Sequence, residues 1–280
     1  MLVLCFCWGL QQVAVKLAAP SIPLLTQATL RSAIATVLLL GWARWRHIPL
    51  TARDGTLFAG LLAGIAFGGE FALIYAGLAH TTAARMIVFL YTAPCLTALG
   101  LAIFVDGEEL APLQWTGIAL AFGGIAAGFG EGVARASGTL LGDGMGVAAA
   151  VMWAATTVLI RATRLSHVSA TKVLFYQLAV SIPVLGVGVI LLGEPAIRGW
   201  SAAAVASLAF QAVVVAFATY LAWFWLLTRY LASRLAVFSF MTPLFGVLFG
   251  VLLLDEPLAP GFSIAITLVA TGIALVNVRG

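Results

Sequence analysis

The chain has 280 residues, of which 63% are hydrophobic and 9% are charged, and its mean hydropathy is +1.13. Water-soluble domains typically contain about 25% charged and about 45–50% apolar residues, so this composition excludes a soluble globular protein. The net charge of +4 comes from basic residues without interleaved stacking aromatics, which argues against a nucleic-acid-binding protein. The composition predicts an integral membrane protein.

Apolar windows of about 20 residues, the length that a bilayer-spanning helix needs, recur along the chain. Turn-forming and charged residues separate the windows, and no connection is long enough to fold as a separate domain. The predicted spans cover residues 1–17, 24–43, 56–79, 82–104, 112–130, 142–161, 171–192, 202–228, 231–253 and 259–278. We therefore expect an all-α polytopic membrane protein with ten transmembrane helices.

The first span begins at Met1 without a charged segment before it. A signal peptide requires that segment and a cleavage site, so we expect none, and we expect the natural start to lie slightly upstream. The three cysteines, Cys5, Cys7 and Cys95, lie in apolar runs without histidine or carboxylate neighbours. This placement predicts packing residues, with neither a disulfide nor a metal site.

A long stretch of the first half returns in the second half. Residues 84–124 and 233–272 each contain a helix with a mid-span proline (Pro94 or Pro243), a short acidic loop and a second, glycine-ended helix. Such self-similarity at a fixed spacing indicates a repeated structural unit.

A weaker match extends the repeat to the first spans, because Trp8 aligns with Trp153 at corresponding places in spans 1 and 6. The predicted repeats are therefore five spans long and cover residues 1–135 and 136–280. Because five is odd, the second copy must enter from the opposite face. Inverted repeats are typical of secondary transporters, whose substrate site lies near the midplane between the repeats.

The distribution of basic residues predicts the orientation, since cytoplasmic loops are enriched in lysine and arginine. With both termini in the cytoplasm, nine basic residues lie at cytoplasmic ends: Arg44, Arg46, Arg53, Arg161, Arg164, Lys172, Arg229, Arg234 and Arg279. Five lie at outer ends: Lys16, Arg31, Arg85, Arg135 and Arg198. Both termini are therefore predicted to be cytoplasmic.

These motifs resemble the drug/metabolite transporter superfamily and, within it, the ten-span EamA family. The resemblance covers nearly the whole chain. It is carried by Trp8-Gly9 with Lys16, by Arg31, by Pro94 and Pro243, and by the acidic loops Glu108-Glu109 and Asp255-Glu256. It implies an inner-membrane exporter of small metabolites, often amino acids. The many aromatic residues make the chain similar to the YddG-type aromatic amino-acid exporters. Ala154, where a symmetrical repeat would have glycine after Trp153, is a departure that leaves the expected fold unchanged.

Glu70 is a candidate site residue because it is a carboxylate well inside span 3. An ionisable group there costs about 2.5–3.5 kcal/mol on insertion scales and normally faces a cavity or a partner. It could bind a substrate ammonium or carry a coupled proton. A hydrogen-bonded role in helix packing is an equally strong interpretation.

Aromatic residues deep in the spans complete the candidate site. Trp8 and Trp153 lie too deep for an interfacial belt and have Gln12 and Thr157 one turn further along, which favours a pocket that holds an apolar side chain. Further cavity candidates are Tyr75, Tyr91, Tyr220 and Phe238. Pro94 and Pro243 remove backbone hydrogen bonds and are either gating points or fixed kinks.

The sequence contains no nucleophile–base pair, zinc-protease motif or phosphate-binding loop, so we expect neither an enzyme nor a cofactor. We predict a plasma-membrane carrier that exports amino acids, preferably aromatic ones, by alternating access. The expected partners are a small-molecule substrate and the bilayer, and we expect a monomer. Two alternatives stay open: efflux of cationic drugs, with Glu70 as the counter-ion, and a membrane scaffold that transports nothing.

Overall fold

The structure, a computed structural model, describes residues 1–105, 110–134, 138–229, 241–258 and 260–276. All regular secondary structure in these ranges is helical. The helices are α1 Leu2–Ala18, α2 Leu24–Trp45, α3 Leu57–Gly77, α4 Ala83–Leu90, α5 Ala93–Phe104, α6 Pro112–Ala134, α7 Leu140–Ala162, α8 Ala170–Leu191, α9 Ala202–Ala209, α10 Tyr220–Arg229, α11 Met241–Leu254 and α12 Pro260–Val276. A π-helical segment, Phe210–Thr219, joins α9 to α10, and a short 3₁₀ turn, Arg164–His167, precedes α8.

Six helical stretches in the described part of the chain are long and apolar enough to cross a membrane. They are α2, α3, the stretch Ala83–Phe104, α7, α8 and the stretch Ala202–Trp223. The helices α1 and α11 and residues Phe262–Val276 are shorter but also apolar. The predicted all-helical, multi-pass membrane protein is confirmed, while the total of ten spans and their division into two inverted repeats stay predictions.

Two sets of loop contacts define the ends of the helix bundle. Four connections meet at the Glu256 end: those before α2, before α4, before α9 and after α11. For example, the backbone N–H of Arg198, before α9, donates to the carbonyl of Ser21, before α2 (2.9 Å). At the Asp54 end, the ammonium of Lys172 on α8 donates to the carbonyl of Ala52 (2.8 Å) in the connection between α2 and α3.

Glu256 ties three segments together at its end of the bundle. One carboxylate oxygen accepts the backbone N–H of Ala83 (2.7 Å) and pairs with the ammonium of Lys16 (3.2 Å). The other oxygen accepts the backbone N–H of Ala84 (3.0 Å). The carboxylate therefore satisfies free N–H groups in the first turn of α4 and lies at the positive end of its dipole.

Arg85 and Asp143 form a buried ion pair between α4 and α7. The Nη2 atom of Arg85 lies 2.7 Å from a carboxylate oxygen of Asp143 and 2.8 Å from the carbonyl of Gly128. The hydroxyls of Thr81 (2.7 Å) and Thr139 (3.1 Å) also donate to Asp143. A buried carboxylate with this many donors is satisfied, which identifies the pair as a structural contact between helices.

At the Asp54 end, Lys172 has 1% of its side chain exposed and lies 2.7 Å from a carboxylate oxygen of Asp54. The hydroxyl of Thr56 also donates to Asp54 (2.6 Å). The Lys172 ammonium, together with this hydroxyl, lowers the pKa of Asp54 to about 2.

The predicted span 82–104 corresponds to the apolar stretch Ala83–Phe104, which is interrupted near its proline. It is broken at Tyr91 and Thr92: α4 ends at Leu90, and α5 begins at Ala93 with Pro94 in its first turn. Proline fits the first turn of a helix, where no N–H is needed, and it cannot donate the hydrogen bond that would continue α4. The proline therefore begins a second helix instead of bending one helix.

Close packing of α6 against α12 follows from their glycines. A Cβ atom on Gly117 would lie 2.7 Å from the carbonyl oxygen of Gly272, and one on Gly124 would lie 2.7 Å from the side chain of Val269. Small residues of this kind let membrane helices approach closely enough for their backbones to touch.

Candidate functional site

The π-helical segment positions the first polar contact inside the bundle. Thr219, its last residue, accepts a hydrogen bond from the indole N–H of Trp8 on α1 (2.9 Å). The Trp8 ring also makes an edge contact with Trp223 of α10, with 5.9 Å between ring centroids. The indole N–H of Trp8 is thereby satisfied away from the membrane interface.

A chain of hydrogen bonds crosses the bundle beside this contact. The hydroxyl of Tyr75 on α3 donates to the side-chain oxygen of Gln211 in the π-helical segment (2.6 Å). The amide nitrogen of Gln211 donates to the side-chain oxygen of Gln27 on α2 (3.0 Å). The amide of Gln27 in turn donates to the carbonyl of Ile22 (2.8 Å). Buried polar side chains that are fully paired in this way position their helices relative to one another.

Arg31 of α2 lies next in this interior, and none of its surface is exposed. Its Nη2 atom donates to the hydroxyl of Tyr220 over 3.3 Å, and its guanidinium stacks on the ring of Phe71 with its central carbon 4.0 Å from the ring centroid. The Nε and Nη1 atoms have no hydrogen-bond partner among the described residues.

Glu70, one residue before Phe71 on α3, is 6% exposed. In the part of the chain that the structure describes, its carboxylate makes neither a hydrogen bond nor an ion pair within 4.0 Å. It interacts electrostatically with Arg31, and its charge also reaches the phenols of Tyr91 and Tyr220. The Glu70 carboxyl and the Arg31 guanidinium therefore share the interior without direct contact.

An aromatic pair lies where α4 ends. Tyr91, in the break before α5, contacts the Trp153 ring of α7 edge-on, with 5.4 Å between ring centroids. Thr157, one turn further on α7, donates its hydroxyl to the carbonyl of Trp153 (3.1 Å) and is satisfied within its own helix.

Two further polar atoms are buried without a partner in the described residues: the side-chain oxygen of Gln12 on α1 and the hydroxyl of Thr242 on α11. Thr242 lies beside Tyr91 and Cys5, yet its hydroxyl meets hydrogen-bond geometry with neither. Unsatisfied buried polar atoms of this kind are rare in folded proteins.

The structure brings many of the predicted site residues together. We call these interior polar groups together the buried polar centre; its members are Trp8, Gln27, Arg31, Glu70, Tyr75, Gln211, Thr219 and Tyr220. Tyr91 and Trp153 form the adjacent aromatic pair. Pro94 begins α5, Pro243 is buried near the start of α11, and Phe238 lies outside the described residues.

The sequence predicted the site incompletely, because Gln27, Arg31 and Gln211 were not among its site residues. Each of them is a polar residue within a long apolar span, which is the signal that selected Glu70. Asp143, which also lies within a predicted span, is satisfied by Arg85 and does not belong to the centre.

No cluster of three or more histidine, cysteine, aspartate or glutamate residues in the described ranges could hold a metal ion. Cys5, Cys7 and Cys95 are buried, as their placement in apolar runs predicts.

Apolar helices around buried, partly unpaired polar side chains define a class: a polytopic membrane protein with a polar interior. The sequence profile of the EamA-like transporter family matches residues 1–128 and again residues 140–278. The chain belongs to the EamA-like transporter family.

Relatives of this chain are transporters by name. The uncharacterized transporter YvbV of Bacillus subtilis (strain 168) is 28% identical over 97% of this chain and 88% of its own length. The probable amino-acid metabolite efflux pump of Escherichia coli (strain K12) is 27% identical over 98% of this chain and 91% of its own length. A protein of known crystal structure shares the fold at a TM-score of 0.67 and 20% identity, over 97% of this chain and 93% of that one.

Proposed function

We propose that this membrane transporter is a secondary carrier that exports amino acids or closely related metabolites and prefers aromatic side chains. The observation that carries the proposal is Glu70, a carboxylate buried in an apolar helix with no contact partner among the described residues. A ligand's ammonium would supply that partner. The name of the Escherichia coli relative, an amino-acid metabolite efflux pump, supports this substrate class.

The aromatic preference rests on the residues around the charges. Phe71 and Tyr220 contact Arg31 directly, and Tyr91 and Trp153 pack edge-on beside the region that the Glu70 charge reaches. Aromatic rings gain about 0.5–1.5 kcal/mol from such pairs beyond their burial, so an aromatic substrate side chain has suitable neighbours.

Transport would proceed by alternating access, with the two family-matched halves of the chain moving about the buried polar centre. The contacts of Glu256 would close one end of the bundle, and the break between α4 and α5 would let that wall move as two rigid pieces. The helix break between Leu90 and Ala93 supports a hinge, because few backbone bonds must change there.

The test is transport by the purified protein in proteoliposomes, with a panel of labelled amino acids. We expect tryptophan and phenylalanine to move faster than in empty vesicles. Small polar amino acids should move more slowly than these two aromatic amino acids. No movement of tryptophan, phenylalanine or threonine above the empty-vesicle rate would refute the proposal.

Efflux of cationic compounds is a second candidate, since an unpaired Glu70 also suits a cation without a carboxylate. A quaternary ammonium compound in the same vesicle panel discriminates the two, because the amino-acid carrier should not move it. A scaffold that transports nothing predicts no hydrated interior. Cysteines introduced at Trp8 or Trp153 would then stay unreactive towards water-soluble reagents.

We also propose that both termini lie in the cytoplasm, on the basis of the basic-residue distribution. We propose a monomer because the ten predicted spans form a complete pair of repeats, and a plasma-membrane location because the family resemblance implies it. A reporter that is active only in the cytoplasm, fused to the C-terminus, should be active. An inactive fusion would indicate the opposite orientation, in which the Glu256 end faces the cytoplasm.

A further inference from the structure

Three buried cations occur in the described part of the chain, and they differ in what surrounds them. Arg85 is held by the carboxylate of Asp143, and Lys172 is held by that of Asp54. Arg31 is more completely buried than Arg85, since 0% of its surface is exposed. It has no carboxylate within 4.0 Å among the described residues. A charge inside a membrane normally faces a partner, so the contrast requires a reason.

The geometry of Arg31 leaves donors available for an anion. The stack on Phe71 covers a face of the guanidinium plane, while hydrogen bonds form at its edges. Tyr220 takes one hydrogen bond from Nη2. Nε has one N–H and Nη1 has two, and none of these donors has an acceptor in the described residues.

Glu70 does not fill this role. The two charges interact electrostatically, but no Arg31 nitrogen lies within 4.0 Å of the Glu70 carboxylate. A molecule that carries both a carboxylate and an ammonium could satisfy each charge with its opposite end. Neither a simple cation nor a simple anion could satisfy both.

We propose that Arg31 binds the substrate's carboxylate, opposite Glu70, so that the site selects zwitterions with a free carboxylate. This assignment rests on the proposed function and deepens it. Tyr220, through its hydrogen bond to Nη2, and Phe71, through the stack, act as positioning residues that hold the guanidinium in place. The pairing excludes esters and amides of the same amino acid, which leave Arg31 unpaired.

The first test uses the wild-type protein, purified in nanodiscs and loaded with labelled phenylalanine. Competition is measured with phenylalanine, with its methyl ester and with N-acetylphenylalanine, which lack the free carboxylate and the free ammonium respectively. Each modified compound should compete about tenfold or more weakly than phenylalanine, because hydrogen bonds to charged groups contribute about 1.5–3 kcal/mol. A methyl ester that competes as well as phenylalanine would overturn the assignment.

The second test changes Arg31. In Arg31→Gln, the affinity for phenylalanine should fall to that for the methyl ester, while the affinity for the ester stays as in the wild type. Arg31→Lys keeps the charge but loses the planar arrangement of donors. Its ratio of affinities for phenylalanine and for the methyl ester should lie between those of the wild type and of Arg31→Gln. The exposed Arg198 serves as the control, since Arg198→Gln should keep the wild-type ratio. If Arg31→Gln does not fold, the affinity ratio of Arg31→Lys is the test. A ratio equal to that of the wild type would contradict the proposal.

A third probe separates this assignment from the proposed function. If phenylalanine neither binds nor moves, the intrinsic tryptophan fluorescence of the protein is titrated with 3-phenylpropionate, a carboxylate without an amine. Saturable binding that Arg31→Lys weakens would retain Arg31 as the anion site while the amino-acid proposal falls. Transport of phenylalanine together with equal transport of its methyl ester would retain the proposed function and overturn the anion site. If neither carboxylate binds, Arg31 is a structural cation and the assignment is wrong.

Discussion

At the scale of single residues, Glu70 is the group that we propose recognises a positive charge on the substrate. Glu70→Gln keeps the size of the side chain but removes its charge. We expect the affinity for substrates with an ammonium to fall about tenfold or more, and the pH dependence of transport to flatten. Equilibrium binding and transport at several pH values measure both.

Glu194 provides the matched control for Glu70→Gln. Its carboxylate accepts the backbone N–H groups of Leu25 (2.7 Å) and Thr26 (2.8 Å), so it caps α2. Glu194→Gln should lower the stability of the protein by about 0.5–2 kcal/mol without changing substrate selectivity. Unchanged affinity and an unchanged pH profile in Glu70→Gln would contradict a substrate or proton role for Glu70.

Asp54 is the residue whose charge state links stability to pH. Its folded-state pKa, about 2, lies below the ordinary aspartate value of about 3.9, because of the Lys172 ammonium. Its contribution is therefore fully present above about pH 4 and is lost as the pH falls through about 2. Asp54→Asn should lower the unfolding midpoint by a few degrees at pH 7, because Lys172 keeps a buried charge without its carboxylate.

Thermal unfolding of the detergent-solubilised protein at pH 7 and towards pH 2 tests this prediction. Between about pH 4 and about 2, the unfolding midpoint of the wild type should fall more than that of the variant, because only the wild type loses the Asp54 charge. The double variant Asp54→Asn with Lys172→Met removes both charges and should regain part of the lost stability. Equal midpoints for Asp54→Asn and the wild type at pH 7 would contradict a stabilising ion pair.

At the scale of helices, the contact between α6 and α12 depends on the absence of side chains. A methyl group at Gly117 would meet the backbone oxygen of Gly272 at 2.7 Å and the backbone nitrogen of Val276 at 2.9 Å. Gly117→Ala should therefore separate the helices and lower the free energy of unfolding by about 1–3 kcal/mol. Chemical unfolding in detergent micelles measures the change.

Gly123, on the same helix, is the control for this change. A Cβ atom there meets nothing within 4 Å, so Gly123→Ala should be neutral or slightly stabilising. A loss of stability at both positions would point to the helix backbone instead of the contact.

The sequence predicts helices better than it predicts their interruptions. Apolar windows locate the helices to within a few residues, because burial in lipid requires about the same length each time. Periodicity does not reveal the break at Tyr91 and Thr92 or the π-helical segment at Phe210–Thr219. The break follows from Pro94, whereas the π-helical segment carries contacts with other helices, those of Gln211 and Thr219 with Tyr75 and Trp8.

The site follows the same rule. Polarity within a span selects Glu70, and the same signal is present at Gln27, Arg31 and Gln211. What distinguishes a satisfied polar residue such as Asp143 from an unpaired one such as Arg31 is the set of neighbours on other helices. Those neighbours are remote in sequence, so composition and spacing do not determine them.

At the scale of the whole molecule, Glu256 closes one end by joining Lys16 of α1 to the first turn of α4. Glu256→Gln removes the ion pair and weakens the cap. We expect this end to open more often. A cysteine placed at Gln12, in a variant without the three native cysteines, should then react several-fold faster with a membrane-impermeant thiol reagent.

The reagent is added from each side of the membrane in turn, which also identifies the side that opens. Arg198→Gln, a change of charge at the same end without a tie to α4, should leave the labelling rate unchanged. An equal rate in Glu256→Gln and the parent protein would mean that other contacts keep this end closed.

The π-helical segment has a consequence for how this chain tolerates changes in its length. Its wider turns contain more residues than the α-helical turns on either side of it. Deleting one residue inside Phe210–Thr219 can be absorbed by returning a turn to α-helical geometry, whereas the same deletion in α8 would rotate the rest of that helix out of register. Lineages of this chain that differ by single-residue deletions in membrane helices should therefore concentrate them in this segment. Each such deletion would keep Tyr220, the first residue after the segment, in register with Arg31.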